Sequence, residues 1–149
     1  MNYIICGFSG VGKSTAEQKH NNVIDFESSG YSYDWEKGVK GVVNNNFPKN
    51  YIDAVVDHMN NYHNRIYLLS CHEEVRKELK DRDFEYIIVM PTVWQRNEYM
   101  KRWLRRGSSN VFIRSMYDRW YEMIESCEKD TAPKIYLDEN QYIDDVLPM

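Results

Sequence analysis

Gly7, Gly12, Lys13 and Ser14 stand at the spacing G-x-x-x-x-G-K-[ST] inside the run IICGFSGVGKST, with Thr15 next. The spacing has a chemical reason at each position. Gly7, Gly10 and Gly12 admit backbone conformations closed to other residues, so that the stretch through Ser9 and Val11 can bring several N–H groups around one phosphate. A helix opening near Lys13 adds its positive end. Lys13 is then expected to reach between the β- and γ-phosphates of a nucleoside triphosphate, Ser14 to offer its hydroxyl to Mg²⁺, and Thr15 to assist at the α-phosphate.

A second set of residues could supply the other half of a transfer. Asp25 and Glu27 in DFESS alternate along an extended segment and so face the same way. A resemblance to small-molecule kinases implies Asp25 as the candidate for organising Mg²⁺ or accepting a proton, with Glu27, Ser28 and Ser29 as acceptor contacts. The competing reading is a strand-end turn in which these side chains cap backbone amides. Tyr33 and Trp35, with Tyr31 and Phe47 nearby, either stack on a base or cover a sheet edge. His72 reads equally as a general base or phosphate contact and as a helix cap. His20, His58 and His63 show no metal-ligand spacing.

The elements that must position these groups are legible from periodicity. NYIIC, VIDF, RIYLLSC, FEYIIVM and KIYL read as five short, nearly continuous apolar strands, alternating with helical patterns at 13–20, 51–62, 72–83, 93–104 and 111–127. That alternation implies a parallel sheet with helices on both faces in one α/β domain. Residues 30–50 are polar and glycine-bearing, and read as loop with one short helix. Arg102, Arg105 and Arg106 fall at i, i+3 and i+4 of the helix 93–104 and its end, so all three can point into one cleft.

Taken together, the phosphate loop, the chain length and the arginine-rich segment YMKRWLRRGSSNVFIRSM resemble the small P-loop kinases of the nucleoside or deoxynucleoside monophosphate type. VIDFESS and WYEMIE are similar to phage-encoded nucleotide kinase-like proteins. The resemblance implies a three-layer P-loop NTPase fold with sheet order 2-3-1-4-5, ATP and Mg²⁺ as cofactors, an acceptor region at about 28–50 and a mobile lid at about 92–112. It places Arg96, Arg102, Arg105 and Arg106 in that lid over the transferred phosphate, leaving Arg114 and Arg119 as weaker candidates. One departure stands out: where many such proteins end the third strand in a magnesium-holding aspartate, this chain has Ser70, Cys71 and His72. Asp25, Glu27 or Glu73 would have to compensate. The alternative is a regulatory or sequestering nucleotide-binding protein, with little turnover and a host protein as partner, or a kinase of another hydroxyl or modified-nucleotide acceptor.

Composition narrows the classes further. A net charge of −4 argues against general attraction to nucleic acid. Three scattered cysteines read as free thiols, and no leader or long apolar run is encoded, which together imply the cytoplasm, or the host's if the gene is a phage's.

Overall fold

The structure is a computed structural model that describes residues 1–36 and 39–147. Its centre is a sheet of five parallel strands. These are β1 (Tyr3–Gly7), β2 (Val23–Asp25), β5 (Ile66–Ser70), β6 (Ile87–Pro91) and β7 (Lys134–Leu137), in spatial order β2-β5-β1-β6-β7. The missing numbers belong to β3 (Tyr33–Glu36) and β4 (Val39–Val43), which form a separate antiparallel pair. The expected order 2-3-1-4-5 took account of five strands only; the third, fourth and fifth of them are β5, β6 and β7. The inserted pair corrects the reading of 30–50 as loop. Its sequence alternates polar and apolar residues too briefly to stand out from the glycines and asparagines around it.

Central strands β1, β5 and β6 are buried almost throughout, so their side chains need cover on both faces. Helices α1 (Lys13–Lys19), α3 (Lys49–Asn61), α4 (Glu73–Asp81), α5 (Arg96–Arg105), α6 (Asn110–Asp118) and α7 (Trp120–Lys129) join a four-residue α2 (Ser29–Ser32). The helical pattern expected over 111–127 is broken at Arg119, which ends α6 and opens α7 with φ −95° and ψ 7°. Trp103 and Trp120, both fully buried, pack edge to face at 6.3 Å and anchor α5 and α7. Among the described residues no helix is long and apolar enough to cross a membrane.

Two ties set the carboxyl edge of the sheet. The buried Tyr51 hydroxyl of α3 donates to the Phe26 carbonyl after β2 and accepts from the Ser70 amide at the end of β5 at 3.3 Å. Below them, a buried ion pair joins Arg76 of α4 to Asp130 at 2.9 Å. Tyr86 donates to the same carboxylate at 2.7 Å and Lys80 pairs with it at 2.8 Å. Satisfied on every side, Asp130 is held well below the usual carboxylate range despite its burial.

Candidate functional site

The loop between β1 and α1 is held from behind by its carbonyls. Trp103 Nε1 donates to the Ser9 carbonyl at 3.3 Å, Arg102 Nη1 to the Gly10 carbonyl at 3.0 Å, and the Ile143 amide to the Val11 carbonyl at 2.8 Å. A trans peptide points its N–H opposite its C=O, so fixing the Ser9 and Val11 carbonyls outward turns the Gly10 and Gly12 amides toward the cleft. The first-turn amides of α1 join them. Gly10 and Gly12 have φ of +96° and +94°, the left-handed region, which explains why glycine occupies both. The Val11 side chain is fully buried in the core and its amide donates to the Phe8 carbonyl at 3.2 Å, so this residue supports the loop and does not line the cleft.

Lys13 folds back over this loop, its Nζ donating to the Gly7 carbonyl at 2.8 Å. Burial pulls its ammonium below the ordinary value, while Asp25 and Glu27 across the cleft oppose that pull. The cleft itself measures about 830 Å³ and runs from the glycine loop past the ends of β2 and β5 to α7. It brings together Gly7, Ser9, Gly10, Gly12, Lys13, Ser14 and Thr15 with Asp25, Glu27, Ser28 and His72. Ser29 opens α2 and Tyr33 opens β3, and neither lines it. The side chain of Trp35 lies outside the described residues. Tyr31 and Phe47 pack on Phe26 and Tyr51 at 5.5–6.1 Å between ring centroids, which is the sheet-edge reading.

Asp25 is the most perturbed acid of the cleft. Burial raises its carboxyl to about 6, Glu27 and Glu17 push the same way, and Lys13 opposes. Its Oδ1 is buried without a hydrogen-bond partner, and so is the hydroxyl of Ser70 at the end of β5. Both residues line the cleft, one from each of two neighbouring strands. Among the described residues no group of three or more His, Cys, Asp and Glu could hold a metal ion. A magnesium ion here would therefore be held by the Asp25 carboxylate and Ser14 hydroxyl with most of its shell from phosphate and water, which is the habit of that cation.

The four arginines of the expected lid have separated fates. Arg102 is 5% exposed; besides the Gly10 carbonyl it donates to the Gln141 carbonyl at 2.6 Å and pairs with Glu98 at 3.2 Å. Its guanidinium lies between the rings of Tyr99 and Tyr142, 4.4 and 4.0 Å from their centroids. It braces the glycine loop through these contacts, and it also lines the cleft beside Arg105 and Arg106. Arg96 is likewise committed, donating to the Tyr117 carbonyl at 2.7 and 3.0 Å. Arg106 is the one that meets the loop from outside, its Nη2 donating to Ser9 Oγ at 3.1 Å. Exposed Arg105 and Arg119 also line the cleft. Within α5, Tyr99 and Trp103 are fully buried. The sequence ranks Arg119 as a weaker candidate and gives no signal for the segment after β7, whose Tyr142 ring would lie 2.9 Å from a Cβ at Gly12.

No family model and no curated protein matches the chain. Among solved structures, the tunicamycin resistance protein of Deinococcus radiodurans is similar in fold, with a TM-score of 0.62 over 97% of this chain and 90% of that one, at 16% sequence identity. At that identity the likeness concerns the fold alone.

Proposed function

We propose that this protein is an ATP-dependent phosphotransferase of the P-loop class, acting on a small-molecule acceptor. The observation that carries the reading is the glycine loop, with its carbonyls tied outward and Lys13 laid across it, set opposite Asp25. Positioning and charge neutralisation are most of what phosphoryl transfer needs from a protein. The loop amides and Lys13 would hold the β- and γ-phosphates, while Arg106, and Arg105 beside it, would meet charge that develops on the transferred group. Mg²⁺ when bound would be held by Ser14, with Asp25 either joining it or acting as base, and would offset charge on the phosphate oxygens.

Two acceptors remain from the sequence: a nucleoside or deoxynucleoside monophosphate, and a hydroxyl compound. A monophosphate oxygen is already deprotonated at neutral pH and needs no base. Asp25, with an unpartnered oxygen and a carboxyl near 6, is suited to taking a proton, and this favours a hydroxyl acceptor. In that reaction the acceptor oxygen bonds to the γ-phosphorus, the bond to the β–γ bridging oxygen breaks, ADP leaves, and the hydroxyl proton passes to Asp25. Arg119 on the acceptor side supports the monophosphate reading. The purified protein should release ADP from Mg-ATP when offered a panel of hydroxyl compounds, among them nucleosides and tunicamycin, and nucleoside monophosphates. Phosphorylated products from hydroxyl compounds alone would support Asp25 as base; diphosphates would favour the monophosphate reading. Tight ATP binding by calorimetry with no turnover for any acceptor would leave the regulatory nucleotide-binding alternative. Lys13→Ala should weaken ATP binding by at least about tenfold, and unchanged affinity would overturn the site.

A further inference from the structure

Behind the acceptor end of the cleft, two cysteines 56 residues apart face each other. The Sγ atoms of Cys71, just after β5, and Cys127, on α7, are 3.4 Å apart, and both residues line the cleft. Neither is in a disulfide. Their approach is built into the surrounding structure. Arg76 Nε donates to the Cys71 carbonyl at 3.1 Å, while its Nη1 and Nη2 donate to the carbonyl and hydroxyl of Ser126 at 3.3 and 2.7 Å. One buried guanidinium, fixed by Asp130, thus holds the backbone beside each thiol. Its charge also favours the thiolate of Cys127, which is held below the ordinary cysteine value chiefly by its bond with Cys71.

We propose that Cys71 and Cys127 form an oxidisable dithiol, a modification site that a peroxide closes to a disulfide. The sulfur that meets hydrogen peroxide attacks one peroxide oxygen; the O–O bond breaks, the first water leaves, and a sulfenic acid forms. The partner thiolate attacks that sulfur and displaces hydroxide, which takes up the remaining proton as the second water. Two thiols are oxidised by two electrons and one peroxide is reduced. Starting from 3.4 Å, the sulfurs need to approach by only about 1.4 Å to reach bonding distance. The bond would tie the start of α4, with His72, to α7 across the wall of the cleft. If the cleft transfers phosphate as proposed above, the oxidised form should turn over more slowly; the chemistry at sulfur does not depend on that reading.

The test is thiol titration and peptide mapping of the native protein after mild treatment with hydrogen peroxide. Accessible thiols measured after denaturation should fall from three to one, with the intact mass lower by two hydrogens, and dithiothreitol should restore both. Digestion should yield one crosslinked pair containing Cys71 and Cys127. Cys6, fully buried and pushed up to about 12 by that burial, should remain reduced. Cys71→Ser and Cys127→Ser should each abolish the crosslink, and the remaining cysteine should gain oxygen atoms instead. Three surviving thiols, a crosslink involving Cys6, or a bond between two chains would overturn the proposal. Loss of turnover without any crosslink would count against it equally, whereas a crosslink in a protein with no turnover would uphold it and count against the kinase reading alone.

Discussion

Asp25→Asn should make the ligand-free protein more stable while removing its turnover. Burial raises the Asp25 carboxyl from an ordinary 3.8 to about 6, a value that already includes the attraction of Lys13. For a fully buried group that difference is worth about 3 kcal/mol, and partial solvation of this one brings it to about 1–2 kcal/mol. The sign follows from which state binds the proton. Below about pH 4 the carboxyl is protonated in folded and unfolded chains alike and carries no penalty. As pH rises through about 6 the folded chain must keep a poorly solvated carboxylate, and that stability is lost. Asparagine keeps the shape without the charge, so the variant should gain about 1–2 kcal/mol at about pH 8 and nothing at about pH 4. For a chain of this size that is roughly 3–6 °C in melting temperature. Thermal unfolding followed by circular dichroism at both pH values measures the difference between variant and wild type. A difference that is equal at the two pH values, or a less stable variant at the higher one, would refute the argument that burial sets the Asp25 carboxyl. Turnover should fall about 10²–10⁴-fold in the same variant if Asp25 is the base.

Arg102 and Arg106 should behave oppositely. Arg102→Met strands the Gly10 and Gln141 carbonyls and the Glu98 carboxylate, and should lower stability by about 2–4 kcal/mol in urea unfolding; Arg106→Ala should change stability by less than about 0.5 kcal/mol yet lower kcat at least about tenfold. Gly12→Ala forces φ +94° on a residue with a Cβ and drives that carbon to 2.9 Å from the Tyr142 ring, so it should lose about 1–3 kcal/mol and most ATP affinity by calorimetry. Adding Tyr142→Ala should recover only the part due to the ring, since the backbone strain stays.

The sequence by itself determined the alternation of strand and helix and the place of the glycine loop at the end of β1. It did so because both signals are local: continuous apolar strands demand a covered parallel sheet, and G-x-x-x-x-G-K-S specifies backbone geometry within eight residues. It also put Asp25 at the end of β2 and Glu27 just beyond it, on the cleft that the glycine loop lines. The roles of the arginines needed the tertiary structure. Arg102 and Arg106 share a helix face at i and i+4, but the lower one is enclosed by Tyr99, Tyr142 and the loop carbonyls while the upper one is exposed at the loop's rim, and only the packing of α5 separates them. The same holds for the segment at 141–143, whose contacts with the loop join residues more than 120 positions apart. The near-neutral carboxyl of Asp25 arises from burial that no neighbour in sequence supplies. The meeting of Cys71 and Cys127 depends on Arg76 bridging two backbones, a distance relation that exists only once the chain has folded.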